Sequence, residues 1–339
     1  MELTKQDTKM LQGLSVLAMV CLHLFDRDYH GLFTPLLFVQ GVPMSFYLGQ
    51  LSDFCVFGFA FCSGYAHMTQ FKHPDYYKQR LKGLLRILCS YWLILILFSL
   101  ICIIIGQGSF MPGSFSKFIL NALTLENSYN GAWWYMFAYV VLVLLSPMLL
   151  KVVKKMHPLV VLSIGFAVYC AAYYLRFRIT TDNWLLIKAG PLGMTLFEYL
   201  IGAVCCRTQL FTKLYRYWGK IHQTWRWLIA VFLFIAMLYV RTKVIPSLFV
   251  APITGFVVIS LFHFWQKPKC IQSAFLYIGK HSTNIWLTHM FFFTYIFKNF
   301  AYSAKYPIFI FVLMLAATLL LSNGLKLITN PLERSIATI

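Results

Sequence analysis

The chain has 339 residues, of which 60% are hydrophobic and only 12% charged, and it carries a formal net charge of +19. Its mean hydropathy of +0.71 excludes an ordinary soluble domain. The positive excess does not by itself imply nucleic acid, because basic loops at a membrane surface produce the same balance.

A helix needs about 20 residues to cross the hydrocarbon core, and about ten apolar runs of that order follow one another. They lie near 9–27, 44–69, 83–106, 132–150, 158–175, 189–206, 227–242, 246–265, 276–297 and 305–328. The prediction is an all-α polytopic membrane protein, with residues 1–339 forming one integral-membrane domain. The first run follows Lys5 and Lys9 as a signal peptide would, but no small-residue cleavage site follows it, so a retained helix is expected.

Loop charge orients the chain. With the N-terminus in the cytoplasm, the inner side receives Lys72, Lys78, Arg80, Lys82, Arg86, Lys151, Lys154, Lys155, Arg207, Lys213, Arg216, Lys220, Arg226, Lys267 and Lys269. The outer side holds Arg27, Lys117, Arg176, Arg178, Lys188, Arg241, Lys243, Lys298 and Lys305. Ten spans with both termini cytoplasmic fit this bias.

In the first run, Gln12, Val16, Met19 and His23 share one stripe. An ionisable side chain at membrane depth is a functional-site hypothesis by default; a buried hydrogen bond to a neighbouring helix is the plainer reading of His23. Counted from Lys9, His23 is about 21 Å along the axis at 1.5 Å per residue, which places it in the outer half of the bilayer. Asp53, in the second run, is either a carboxylate that orients the His23 imidazole or a hydrated group near the interface. Ser63 and Gly64 follow in Phe59–Tyr65, where the glycine suits close helix packing.

Lys78, Arg80, Lys82 and Arg86 enter the third run. They read as a topology-fixing collar or as a phosphate cradle, and Arg86 already lies inside the apolar run. The outer loop 107–131 leads through Glu126, Asn127, Tyr129 and Asn130 to Trp133 and Trp134, which suits either carbohydrate or the interfacial aromatic belt. Glu198 is a further intramembrane carboxylate with no evident local partner. In the ninth run Ser282, Trp286 and His289 fall on one face. The nine cysteines lie in or beside apolar runs as small hydrophobes, no cluster has metal-ligand spacing, and no phosphate-binding glycine loop is present. The chain carries no signal of its oligomeric state.

In order and spacing these segments resemble the integral-membrane acyltransferase family 3, which includes bacterial surface-polysaccharide O-acetyltransferases. Gln12-Gly13-Leu14 with His23 resembles the family's first-helix motif, and Phe59–Tyr65 its Phe-Phe-x-x-Ser-Gly-Phe segment. Arg80, Arg86-Ile87 and Tyr91-Trp92 resemble its Arg-rich third helix. Trp134-Tyr135-Met136 with Pro147 is similar to its Trp-Phe-Leu helix, Tyr277–His289 to its Gly-Lys-x-Ser helix, and Glu333 to the carboxylate after its last span. The family's first-helix Arg is Gln12 here, and its acidic residue before the Phe-Phe segment falls at Phe57. Lys9 and Asp53 are the candidates to stand in for them.

The resemblance implies transfer of an acyl group, acetyl from acetyl-CoA above all, to a hydroxyl of an extracytoplasmic or lipid-linked glycan at a bacterial cytoplasmic membrane. His23 and Asp53 would be catalytic, Arg80, Lys82 and Arg86 would hold the CoA phosphates, and Gln12, Ser63, Trp134, Glu198, Ser282 and His289 would line the substrate passage. No permanently bound cofactor and no metal is implied. A flippase for a lipid-linked sugar and a catalytically silent relative are the competing expectations.

Overall fold

The computed structural model describes residues 2–338, with side chains through Ile336. It is an all-α polytopic membrane fold, 79% helical with almost no strand. In chain order α1 (Lys5–Phe25) leads through a two-residue ribbon, β1 (Phe38–Val39) paired antiparallel with β2 (Val42–Pro43), into α2 (Met44–Leu51). A 3₁₀ turn joins α2 to α3 (Cys55–Gln70), and α4 (Tyr76–Ile104) and the short α5 (Phe115–Ala122) follow. Next come α6 (Trp134–Lys155), α7 (Pro158–Arg178), α8 (Trp184–Thr208), α9 (Leu210–Trp218) and α10 (Gln223–Tyr239). The chain ends with α11 (Ala251–Phe264), α12 (Lys269–Met290), α13 (Lys298–Tyr302) and α14 (Pro307–Thr338).

Every one of the ten expected apolar runs is helical, but the ten are not equivalent. Eight spans among the described residues are long and apolar enough to cross a membrane by themselves. The remaining two are the short apolar helix Leu248–Phe264 and α12. The latter is long enough but buries His281, Ser282, Asn284, Thr288 and His289, polar groups it can carry because it lies inside the bundle. By contrast α10 has no buried residue and presents apolar side chains outward, as a lipid-facing helix does.

The helix α1 is the hub, packing on both α3 and α12. Its start is fixed by a reciprocal cap: Thr4 Oγ1 accepts from Asp7 N at 3.1 Å and Asp7 accepts from Thr4 N at 2.9 Å. Glycines set how near the helices come. A Cβ on Gly13 would collide with the Phe275 carbonyl of α12, and one on Gly279 with the Lys9 carbonyl of α1. Gly64 meets the Tyr199 carbonyl of α8 in the same way, in line with its expected packing role. Glu2 accepts from Thr212 N at 2.8 Å and Glu333 shares a cavity with Lys9, so both chain ends lie at one end of the bundle.

Candidate active site

Because α1 touches both α3 and α12, its polar stripe faces the interior, and two cavities open along it. The inner one, about 320 Å³, lies at the N-terminal end of α1 and holds Lys9, Gln12, Arg86, Lys280, Lys326 and Glu333. Four cations thus face one carboxylate. The outer one, about 300 Å³, lies at the C-terminal end of α1 around His23, Arg27, Asp53, Arg176, Glu198 and Arg241. Phe59, Tyr135 and Trp286 line both cavities. These three rings form a septum, with Tyr135 edge-on to Trp286 at 5.6 Å between centroids and 6.4 Å from Phe59. Trp286 is anchored by its indole N–H, which donates to the Ala132 carbonyl at 3.0 Å.

At the inner end the Lys9 ammonium donates to Gln12 Oε1 at 2.9 Å, so a cation sits at the position where the resembling family has its first-helix Arg. Arg86 reaches this cavity, and so do Ser63 and Ser282. Their hydroxyls are already donating to the Phe59 and Gly279 carbonyls, each at 2.9 Å. Arg80 and Lys82 do not line it. Arg80 donates to Gln70 Oε1, and Lys82 lies in a shallow groove with Tyr77, Lys78 and Ile336 on another face of α4. For Arg80 the reason is angular, since Arg86 is six residues further on and not a whole number of turns; Lys82 is one turn before Arg86 and falls short of the cavity along the axis. Lys280 and Lys326 come in their place, Lys326 donating to the Lys280 carbonyl at 2.9 Å.

At the outer end His23 is partly accessible and no described side chain hydrogen-bonds its imidazole. Its ring packs 5.2 Å from that of His289. His289 is fully buried, its Nδ1 lies 2.7 Å from the Trp286 carbonyl, and its Nε2 is unpartnered. The carbonyl can only accept, so Nδ1 carries the proton and Nε2 presents the lone pair. His289 therefore backs His23 instead of lining the cavity. Trp134 does line it, with the Arg176 guanidinium 4.8 Å above its ring.

Asp53 reaches the same cavity as His23, but its Oδ2 accepts from Arg241 Nε at 2.5 Å and both side chains are buried. Its carboxylate is thus engaged by Arg241, at the π-helical turn Val240–Val244 that ends α10. Read along the sequence, Arg241 is one more loop charge; only the fold brings it 188 positions back to Asp53. Breaking a buried ion pair by removing one partner costs about 3–5 kcal/mol. Asp53→Asn is accordingly expected to lower the unfolding midpoint of the purified protein in detergent, and adding Arg241→Met to recover much of it. Equal midpoints for the single variant and wild type would show that the pair does not support the fold.

No curated protein and no solved structure matches this chain. The family model described as an acyltransferase domain matches residues 9–325, a stretch that holds both cavities and the septum apart from Lys326, Thr329 and Glu333, and the chain belongs to that acyltransferase-3 family.

Proposed function

We propose that this membrane acyltransferase takes an acyl group, most simply acetyl, from cytoplasmic acyl-CoA and transfers it to a hydroxyl of an extracytoplasmic or lipid-linked glycan at a bacterial cytoplasmic membrane. The observation that carries this reading is the pair of cavities back to back across one aromatic septum. Lys9, Arg86, Lys280 and Lys326 suit the several phosphates of coenzyme A. The outer cavity offers an imidazole beside carboxylates and an indole, which suits a sugar hydroxyl. A thioester arm extending from the inner cavity past Phe59, Tyr135 and Trp286 would meet the acceptor at His23, with no acyl-enzyme needed.

The transfer then balances without a further reactant. His23 takes the acceptor O–H proton as the oxygen attacks the thioester carbonyl, a C–O bond forms, and a tetrahedral oxyanion results. Collapse breaks the C–S bond, and the departing CoA thiolate takes the proton from the His23 imidazolium. The Tyr135 hydroxyl is buried at the wall common to both cavities, where the Ser63 hydroxyl is its polar neighbour and no well-aligned hydrogen bond occupies it. It is the donor in place for the oxyanion.

The test is transfer of labelled acetyl from acetyl-CoA to surface glycan in membranes holding the protein. Label on the glycan that depends on acetyl-CoA supports the reading; glycan movement without it would favour the flippase. CoA binding with no turnover under any acceptor would favour the silent relative. A charge-assisted contact contributes about 1.5–3 kcal/mol, so Lys326→Ala is expected to raise the acyl-CoA KM by about 10- to 100-fold, whereas Lys82→Ala leaves it within about twofold. Equal effects of the two would remove the inner cavity as the donor site.

A further inference from the structure

Glu198 takes no part in the steps above, yet it is sealed in α8 at 3% exposure. No described residue gives its carboxylate a hydrogen bond or an ion pair, and its Oε2 is buried without a partner. Arg176, which lines the same cavity, lies over Trp134 and Phe177 and outside salt-bridge distance. Two more buried groups on this cavity are half used: Asp53 Oδ1 and Arg241 Nη1 have no partner, although the two residues are joined through their other atoms. An unsatisfied buried carboxylate at membrane depth is costly, and such groups are kept where a ligand completes them.

We infer that Glu198, with Asp53 Oδ1 and Arg241 Nη1 beside it, is the recognition wall for the acceptor. It accepts a hydrogen bond from a hydroxyl adjacent to the one that His23 deprotonates. The inference deepens the acyl-transfer reading and rests on it. Chemistry narrows the ligand. A cavity of about 300 Å³ is at the small end for ligand sites and admits one sugar residue, so His23 and Glu198 address the same ring. The lining sets Asp26, Asp53 and Glu198 against Arg27, Arg176 and Arg241, so it carries no net positive charge to draw in a carboxylated or phosphorylated residue, and its two most buried carboxylates, Asp53 and Glu198, repel one. The acceptor unit is therefore an uncharged sugar with a free vicinal diol.

Selectivity follows. An ester oxygen has no proton to donate, so a residue already acylated at the neighbouring position loses its contact with Glu198. Sites built around a substrate hydroxyl discriminate strongly against analogues lacking it. Each acceptor residue is acylated once.

The experiment uses proteoliposomes of wild type, Glu198→Gln and Glu198→Ala, with labelled acetyl-CoA and purified surface glycan as the probe. Three quantities are read: glycan KM and kcat, labelled CoA binding, and the ester positions by NMR. Expected is a rise of about 10- to 100-fold in glycan KM for Glu198→Ala and a smaller rise for Glu198→Gln, whose amide oxygen still accepts. CoA binding stays within about twofold, and wild-type product carries single esters on neutral residues beside a free hydroxyl. Wild-type glycan KM in the CoA-binding variants overturns the inference alone, as do esters on anionic residues or frequent double esters on one ring. Should the alanine protein lose CoA binding, the glutamine variant decides. Absence of transfer by wild type overturns the acyl-transfer reading, and this inference with it.

Discussion

Replacement of His23 by alanine is expected to reduce acyl transfer by about 10²–10⁴-fold, the usual contribution of a positioned general base, while CoA binding persists. The split follows from distance. His23 is fourteen residues beyond Lys9 on one straight helix, about 21 Å at 1.5 Å per residue, and the donor cations cluster at the Lys9 end. A lesion at the outer end therefore leaves the donor site intact, and labelled CoA reports folding independently of turnover. Retained transfer by a His23→Ala protein that binds CoA would remove the imidazole from the chemistry. Loss of both would instead indicate that the ring supports packing against His289 and Phe293, its neighbours at 5.2 and 6.3 Å.

The second large effect concerns Tyr135→Phe, expected to lower kcat by about 10²–10³-fold, the range for loss of one oxyanion donor, with little change in either KM. The substitution keeps the ring that closes the septum and deletes only a hydroxyl whose polar neighbour is Ser63 and which makes no well-aligned hydrogen bond. The fold is expected to hold, since Ser63 keeps its bond to the Phe59 carbonyl when the tyrosine hydroxyl is removed. The reason for expecting so much from one oxygen is its location: of the three septum side chains, only Tyr135 carries a hydroxyl, and the thioester must pass it to reach His23. An unchanged kcat would assign the oxyanion to another donor and leave Tyr135 as a wall. A raised acyl-CoA KM with unchanged kcat would make its role one of donor binding.

Both predictions concern residues whose visibility in the sequence differs. His23 was legible because an imidazole inside an apolar run is expensive wherever the run packs. Arg86 was legible for the same reason, lying inside a run whose neighbours Arg80 and Lys82 lie before it. Tyr135 was not, because one tyrosine in a chain with 20 of them carries no signal until its neighbours are known. In the sequence Lys280 stands out only as part of the segment Tyr277–His289 and Lys326 not at all, yet α12 and α14 bring them to Lys9. Arg241 counted as a loop charge in the orientation argument and is in fact buried against Asp53.

Hydropathy along the chain determined that the protein is a helical membrane protein and where its long helices lie, with ends displaced by up to about ten residues at α4, α12 and α14, and it ordered the polar groups along each helix axis. Those follow from local physics: the length of an apolar run, the cost of a charge in hydrocarbon, and the cap at a helix start. Depth is one coordinate, however, and a site needs the other two. Which helix faces which, and so which charges meet, was decided only by packing. Gly13 and Gly279 let α1 and α12 close to backbone contact, and that approach turns the stripe of Lys9, Gln12 and His23 into the wall of two cavities. Asp53, expected beside His23, is held instead by Arg241, because the partner of a buried carboxylate is chosen by the tertiary structure and not by its place in the chain.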